Sequence, residues 1–285
     1  MPTYKEALRI NEQYALDNGK EPTAVKLLLL HYANMSNTDL INHLDKKMTE
    51  ERYKSFRSAV DDYVIKNKPV QHITSYEYFY GYAFNVNEDV MIPRYETEEL
   101  VSYTLEMIDE HFESKDHLDL LDIGTGSGCL AIAFAKEEPK IHSTGTEISK
   151  AAIDVANKNK STLKAKDVEF IQGDLIDPVK HRKFDVIVSN PPYIPNDEAL
   201  EPIVKDYEPH LALFGGKDGL DFYRKIINAI KPLLKDEFIV AFEHAWNQSK
   251  ALKKIIKKEF KEVTIIQKKD MQGKDRMTFI KNKRK

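Results

Sequence analysis

The stretch that decides the fold runs from residue 118 to residue 128 and reads Leu118-Asp119-Leu120-Leu121-Asp122-Ile123-Gly124-Thr125-Gly126-Ser127-Gly128. Its first half is a short apolar run of the kind that forms a buried strand, and a helical pattern begins just after it. Three glycines within five residues allow a tight turn and let backbone N–H groups approach a ligand. The stretch therefore predicts a strand, a ligand-binding glycine loop and a helix.

Short apolar runs alternate with helical patterns on both sides of this loop. The four runs are Leu118–Asp122, Ile141–Thr146, Val168–Gln172 and Phe184–Ser189, with helical patterns at about 130–137 and 149–160. This rhythm is typical of an α/β fold with a doubly wound, mostly parallel sheet. Two late strands, Glu262–Gln267 and Arg276–Lys281, are separated by a short connection, which predicts an antiparallel pair at the sheet edge.

Length and composition exclude several classes of protein. The chain has 285 residues, 41% of them hydrophobic, so it is long enough for about two domains and able to bury a core. A net charge of −3 argues against a protein that coats nucleic acid. The single cysteine, Cys129, excludes a disulfide framework, fits a reducing cytoplasm and is read as a packed residue. We expect a cytoplasmic monomer with no membrane span and no metal site.

The chain before the glycine loop has a different character. Residues 1–70 carry helix signals: Pro22 opens an apolar run, Ser36 begins a capping box and Thr49 is a good N-cap. We interpret them as a small helical bundle, with a functionless appendage as the alternative. Residues 71–93 are rich in aromatic and β-branched residues and predict a β-hairpin linker. Thr97 is the expected cap of the next helix.

The glycine loop differs from that of dinucleotide-binding enzymes. It reads G-x-G-x-G rather than G-x-G-x-x-G, with Asp122 two residues before the first glycine. Glu147 ends the next strand, where a carboxylate can accept both hydroxyls of a ribose. This pattern resembles the loop of class I S-adenosylmethionine methyltransferases, with a phosphate-binding or empty Rossmann-like loop as the alternative.

The resemblance to class I methyltransferases implies a set of cofactor-binding residues. They are Asp122, Gly124, Thr125, Gly126, Ser127, Gly128, Glu147, Asp174, Leu175 and Asn190. In this reading the loop backbone faces the methionine part of the cofactor, and Asp174 lies by the adenine.

A second motif, Ser189-Asn190-Pro191-Pro192-Tyr193, follows the fourth strand. The prolines cannot continue the sheet, and they stiffen a loop at the carboxyl ends of the strands, where such sheets bind ligands. The Asn190 side-chain carbonyl and the Pro191 backbone carbonyl can together receive both hydrogens of one planar –NH2 group. Tyr193 supplies an aromatic face and a hydroxyl. A plain proline-stiffened turn is the alternative.

That arrangement suits the activation of a nitrogen whose lone pair is delocalised, as in an amide or a nucleobase. Two acceptors orient the group and favour a pyramidal nitrogen whose lone pair points at a sulfonium methyl group. Positioning of this kind contributes about 7–11 kcal/mol in favourable cases. We predict Asn190, Pro191 and Tyr193 as catalytic residues, and these three with Pro192 as the substrate-binding residues.

Over nearly its whole length the chain resembles the HemK-type peptide chain release factor N5-glutamine methyltransferases. The matching stretches are 71–73, 79–81, 92–98, 122–128, 190–193, 215–224 and 270–276. The N-P-P-Y loop alone is shared with DNA and RNA amino-group methyltransferases, whereas residues 94–97 and 215–224 are specific to this family. Three positions depart from the family pattern, namely Tyr95, Glu147 and the Glu243-His244-Ala245 stretch.

The resemblance implies both an architecture and a reaction. The architecture is an N-terminal helical domain (1–70) that docks a release factor, a β-hairpin linker (71–93) and a seven-stranded catalytic domain (94–285). The reaction is methyl transfer from S-adenosyl-L-methionine to the side-chain amide nitrogen of the glutamine in a release factor's Gly-Gly-Gln motif, in support of translation termination. S-adenosyl-L-homocysteine is the other product.

Two other functions fit parts of the sequence. One is amino-group methylation of adenine N6 or guanine N2 in DNA or RNA, where Tyr193 would stack on the base. The acidic balance and the absence of a large target-reading insert argue against a stable nucleic-acid partner. The other is a binding module with an inert Rossmann-like domain, which the intact Asp122, Glu147 and Asn190 disfavour.

Overall fold

The computed structural model describes residues 1–282 and divides them into two compact units. The first unit contains residues 1–76 together with residues 201–207, and the second contains residues 77–200 and the chain from residue 208 onward. The sequence pattern does not predict that the segment 201–207 joins the first unit. Residues 283–285, the end of the predicted catalytic domain, lie outside the described residues.

The first unit is helical, as predicted. Its helices are α1 (Tyr4–Asp17), α2 (Pro22–Ala33), α3 (Asn37–His43), α4 (Glu50–Val64), α5 (Val70–Thr74) and, later in the chain, α9 (Pro202–Tyr207). All three predicted helix starts are confirmed, since Pro22 begins α2, Ser36 forms a capping box with Asp39, and the Thr49 hydroxyl accepts the Arg52 N–H. The core of the unit is built mainly from buried residues of α1, α2 and α4.

Two predictions about the next stretch need correction. The hairpin is narrower than residues 71–93: its strands are β1 (Tyr76–Phe79) and β2 (Tyr82–Asn85), while residues 71–74 belong to α5. Pro69 directly precedes α5 and helps the helix begin, which overrides the β-propensity of this stretch. Thr97 is not a helix cap, because α6 (Tyr95–His111) begins two residues earlier and the Thr97 hydroxyl binds a buried carboxylate instead.

The second unit is built on a seven-stranded sheet, of which the apolar runs predict six strands and the family resemblance implies all seven. Its strands are β3 (Leu118–Ile123), β4 (Ile141–Glu147), β5 (Val168–Gln172), β6 (Phe184–Ser189), β7 (Leu234–Glu243), β8 (Val263–Lys269) and β9 (Asp275–Asn282). They lie in the order β5-β4-β3-β6-β7-β9-β8. All pairs are parallel except β7–β9 and β9–β8, so the predicted antiparallel edge is confirmed. The apolar run at residues 238–242 marks the latter part of β7, whereas the start of this strand carries the charged residues Lys235, Asp236 and Glu237.

Helices cover both faces of this sheet. They are α6, α7 (Cys129–Glu137), α8 (Lys150–Thr162), α10 (Asp221–Ala229) and α11 (Ser249–Glu259). Neighbouring strand residues point to opposite faces, so Leu120 joins the core beneath α6 and α7, whereas Leu121 joins the core beneath α10 and α11. Burial on both faces explains why β3 reads as a nearly continuous apolar run.

The described residues contain neither a membrane-spanning helix nor a group of metal-binding side chains. Among the described helices, none combines the length and the apolar character needed to span a membrane. Within residues 1–282, no three His, Cys, Asp or Glu side chains are grouped so that they would hold a metal ion.

Two adjacent leucines of α2 test the core of the first unit. Leu28 is fully buried, whereas Leu27 is 54% exposed. We expect Leu28→Ala to lower the free energy of unfolding by about 2–5 kcal/mol, because it removes buried methyl groups and leaves a cavity. Leu27→Ala is the matched control and should change it by less than about 0.5 kcal/mol. Urea unfolding followed by circular dichroism measures both, and equal effects would contradict the packing described here.

Candidate active site

A cavity of about 340 Å³ lies at the carboxyl ends of the central parallel strands. It is of the size that binds small organic ligands. Its wall is formed by residues 89–91, 93, 97, 123–127, 129, 130, 146–149, 152, 174, 175, 190–192, 209, 211, 212, 222 and 225. The structure therefore brings the glycine loop, the end of β4, the start of the loop after β5 and the Asn190 loop to one cavity.

The three glycines of the loop have two different roles. Gly124, Gly126 and Gly128 have φ values of 75°, 53° and 81°, a region that other residues rarely adopt. A Cβ atom at Gly124 or Gly126 would meet nothing within 4 Å, so the loop backbone is open at these positions. A Cβ at Gly128 would lie 2.6 Å from Cζ of Phe170, so this glycine permits close packing and is not part of the cavity wall.

Asp122 is buried beneath the glycine loop and stabilises it by hydrogen bonding. One oxygen, Oδ2, accepts hydrogen bonds from the Thr125 hydroxyl at 2.6 Å and from the Ala131 N–H at 3.3 Å. The other oxygen is buried and has no hydrogen-bond partner among the described residues. Burial raises the pKa of Asp122 to about 7. This predicted cofactor residue lies outside the cavity wall, and its visible role is to order the loop.

Glu147 is placed to serve both the loop and a ligand. Its Oε2 accepts the Gly126 N–H at 3.1 Å, and its Oε1 accepts the Ser149 N–H at 3.0 Å. Because each carboxylate oxygen can accept about two hydrogen bonds, both retain capacity toward the cavity. Asp174 and Leu175 also line the cavity, and Leu175 has the left-handed φ of 47°, a strained conformation for a leucine.

Asn190 lies in the cavity wall at the end of β6 and is anchored from one side. Its Nδ2 donates a hydrogen bond to Oγ1 of Thr97 at 3.2 Å. The Thr97 hydroxyl in turn donates to Oε2 of Glu243 at 2.7 Å, and both of these side chains are buried. The remaining polar atom of Asn190, the carbonyl oxygen Oδ1, is thus left as an acceptor.

The backbone of the Asn190 loop is held from behind by a second segment, residues 215–219. A Cβ at Gly215 would lie 2.4 Å from the carbonyl oxygen of Pro192, and a Cβ at Gly219 would lie 2.1 Å from that of Tyr193. Nε2 of Gln248 donates to the carbonyl oxygens of Tyr193 and Gly219 at 2.9 and 3.2 Å. These contacts fix the loop and explain the need for glycine at both positions.

The strands beneath the two loops are also joined directly. Ser189, the last residue of β6, donates its hydroxyl hydrogen to the carbonyl oxygen of Ile123, the last residue of β3, at 2.6 Å. Both strand ends are buried, so this bond fixes the spacing between the glycine loop and the Asn190 loop.

Tyr193 is, after Gly128 and Asp122, the third predicted site residue that the structure places away from the cavity. It is outside the cavity wall, and it packs in part against the core beneath α10. Burial raises the pKa of its hydroxyl above the usual value. The aromatic face predicted to meet the substrate is therefore not on the cavity in this structure, whereas Asn190, Pro191 and Pro192 are.

Sequence reasoning missed the supporting residues Thr97, Glu243 and Gln248. Glu243 had a usable signal: it ends an apolar strand run, just as Glu147 does, and the carboxyl ends of parallel strands share one edge. Thr97 and Gln248 had no such local signal, because their partners lie far away in the chain.

Comparison with known proteins gives matches along the chain. The PrmC N-terminal domain family matches residues 6–74, and the Methyltransferase small domain family matches residues 102–217. The release factor glutamine methyltransferase of Bacillus cereus is 40% identical over 278 residues, which cover 96% of this chain and 97% of that protein. That of Bacillus subtilis is 40% identical over 280 residues, which cover 97% of this chain and 96% of that protein.

A solved structure agrees at the level of the fold. The methyltransferase from Pyrococcus furiosus is 20% identical, with a TM-score of 0.52, and the match covers 72% of this chain and 90% of that one. Such a likeness shows a shared fold alone. The two Bacillus relatives go further, since they match nearly the full length of both chains, including both units described above. The chain belongs to the release factor glutamine methyltransferase family.

Proposed function

We propose that this protein transfers a methyl group from S-adenosylmethionine to the side-chain amide nitrogen of the glutamine in the Gly-Gly-Gln motif of peptide chain release factors. The observation that carries the proposal is the orientation of the Asn190 side-chain amide. Its amide nitrogen is bound to Thr97, so its carbonyl oxygen serves as an acceptor in the same cavity that the glycine loop lines. The Bacillus relatives are named for this activity, and no observation favours a nucleic-acid substrate.

The cavity has the features that the cofactor requires. The open backbone at Gly124 and Gly126 leaves room for the methionine part, Glu147 has free acceptor capacity for ribose hydroxyls, and Asp174 with Leu175 would border the adenine. When bound, S-adenosylmethionine supplies an electrophilic methyl group and leaves as S-adenosylhomocysteine.

The residues of the chain have the task of preparing a poor nucleophile. Oδ1 of Asn190 and the carbonyl oxygen of Pro191 would accept the two hydrogens of the substrate amide. A planar amide held in this way is oriented, and its nitrogen is drawn toward a pyramidal form, which opposes the resonance that delocalises its lone pair. No base is needed before transfer, because the nitrogen becomes acidic only after it has gained the methyl group. Its proton can then leave to water.

The first unit is proposed to dock the release factor away from the reacting loop. It matches the PrmC N-terminal domain and has a core of its own. Six of its large apolar side chains are exposed and would be available to contact a protein substrate, namely Met1, Ile10, Leu16, Leu27, Ile41 and Ile65.

A labelling assay tests the acceptor and the chemistry together. The protein is incubated with radiolabelled S-adenosylmethionine and a full-length release factor. We expect label on the release factor and none on its Gln→Ala variant in the Gly-Gly-Gln motif. Equal labelling of both would show a different acceptor, and label on tRNA, rRNA or DNA but on neither protein would replace the proposal with the nucleic-acid alternative.

Asn190→Ala should abolish most of the transfer without loss of cofactor binding. Removal of a preorganised polar group from an active site costs on the order of 10²–10³ in kcat. Calorimetry should give a cofactor Kd within a few-fold of the wild-type value, because the role of Asn190 is to orient the acceptor. Asn196→Ala is the control, since Asn196 is an exposed asparagine near the same loop. A large loss of cofactor affinity in Asn190→Ala would assign that residue a different role.

Glu147→Ala should weaken cofactor binding at least about 100-fold, because hydrogen bonds to a charged group contribute about 1.5–3 kcal/mol each. Glu147→Asp keeps the carboxylate and should recover most of the affinity. Calorimetric titration with S-adenosylhomocysteine measures both variants. An unchanged Kd in Glu147→Ala would remove this residue from the ribose site.

A further inference from the structure

We propose that Thr97 and Glu243 are positioning residues that lock the Asn190 side-chain amide in the one orientation that accepts hydrogen bonds from the substrate. The inference rests on the proposed amide methylation and concerns the same site. Thr97 lines the cavity and Glu243 lies behind it. In this scheme both act on the acceptor through Asn190.

The need for a lock follows from the shape of the asparagine side chain. Its carbonyl and amide ends are nearly the same size, so packing does little to distinguish one orientation from the other. In one orientation the carbonyl oxygen faces the cavity and accepts an N–H of the substrate. In the other an –NH2 group faces the –NH2 group of the substrate, and two donors oppose each other. Only hydrogen bonding on the far side of the amide can select between them.

The hydrogen-bond chain has one consistent direction. An ionised carboxylate only accepts, so the hydroxyl hydrogen of Thr97 is committed to Oε2 of Glu243 at 2.7 Å. The Thr97 oxygen then has only lone pairs left to offer Asn190. It pairs with the donor end, Nδ2, at 3.2 Å, which turns the carbonyl end toward the cavity.

The burial of the side chains that form this hydrogen-bond series indicates that they do more than fill space in the core. Glu243 is 1% exposed and Thr97 is 2% exposed. A carboxylate in such a place is costly unless its charge is compensated. The end of β7 that carries Glu243 is also fixed, because the Tyr223 hydroxyl donates to the Glu243 backbone carbonyl at 2.6 Å. An apolar side chain would fill the same space without this cost, but it would leave the Asn190 amide free to turn.

The charge of Glu243 depends on the groups around it. Arg276 of β9 favours the ionised form, whereas Glu96 of α6 disfavours it, and Thr97 and Asn190 stabilise it by hydrogen bonding. Tyr193, Tyr223 and Cys129 also face this region, each with a raised pKa and therefore neutral. Burial outweighs the favourable contacts and raises the pKa of Glu243 to about 7.

Protonation of Glu243 would reverse the direction of the hydrogen bonds among Glu243, Thr97 and Asn190. A protonated Glu243 donates to Thr97, and the Thr97 hydroxyl is then free to donate to Oδ1 of Asn190, which turns the –NH2 end toward the substrate. Activity should therefore fall as the pH drops through the pKa of Glu243 and be retained above it.

The test compares isosteric and conservative variants with full-length protein, labelled S-adenosylmethionine and a release factor. Thr97→Val keeps the shape and removes the hydroxyl, and we expect kcat to fall at least 10-fold while the KM for the cofactor stays within about twofold. Thr97→Ser restores the hydroxyl and should recover kcat to within a few-fold of the wild-type value. Glu243→Gln can present either end of its amide to Thr97, so kcat should be low and the acidic fall in the pH profile should disappear.

The alternative outcomes separate this inference from the proposed function. No transfer by the wild-type protein would overturn the proposed function and this inference with it. Transfer by the wild type with an unchanged kcat in Thr97→Val would overturn the inference alone, and so would equal losses in Thr97→Val and Thr97→Ser. If Thr97→Val fails to bind the cofactor, the pH profile of Glu243→Gln decides, and an acidic fall identical to that of the wild type overturns the inference.

Discussion

The parallel pairing of β3 with β6 is the constraint on which the rest of the site depends. It sets Asp122 beside Val188, and the Ser189 hydroxyl then joins the ends of the two strands. Because both strands end at the same edge, the glycine loop after one and the Asn190 loop after the other must open side by side. A methyl donor bound at one loop and an acceptor bound at the other would therefore be brought together by the topology of the sheet. The side chains of the two loops would then set the distance between donor and acceptor.

The core beneath these loops holds acids where apolar residues would be easier to bury. Asp122 and Glu243 are both almost fully buried, and burial raises the pKa of each to about 7. Each carboxylate takes hydrogen bonds from groups that belong to a loop or helix of the site. Asp122 thereby orders the turn around Thr125, and Glu243 orders Thr97 and, through it, Asn190. The two buried carboxylates thus orient the groups that they bind, although their burial does not stabilise the fold.

The features that could be predicted from the sequence are those encoded locally. The strand, glycine loop and helix at 118–137 follow from apolar runs and glycine spacing, and the helix starts at Pro22, Ser36 and Thr49 follow from capping chemistry. The sheet edge could be predicted because two strands close in sequence had to pair with each other. The same local logic placed Glu147 at the end of β4 and Asn190 just after β6, the two strands that flank β3.

The features that could not be predicted depend on distant partners. The hydrogen bond between Thr97 and Glu243 joins residues 146 positions apart, and the sequence around Thr97 fits a helix cap equally well. The apolar run at residues 238–242 marks the strand that carries Glu243, but it gives no indication of which distant side chain this carboxylate binds. Tyr193 directly follows three wall residues in the sequence, yet it packs against the core beneath α10, which depends on tertiary packing.

The close contact at Gly215 and Gly219 has a consequence for which side chains can react. The Asn190 loop is restrained, because the carbonyl oxygens of Pro192 and Tyr193 lie too near Gly215 and Gly219 to leave room for a Cβ atom there. Gln248 also binds the Tyr193 carbonyl oxygen. The oxygens proposed to accept the substrate amide, Oδ1 of Asn190 and the Pro191 carbonyl oxygen, would then stay in place, and the incoming side chain would have to reach them. Asparagine carries the same amide as glutamine on a chain one methylene shorter. A site whose acceptor oxygens are held in place would therefore distinguish glutamine from asparagine by side-chain length, without a contact dedicated to that difference.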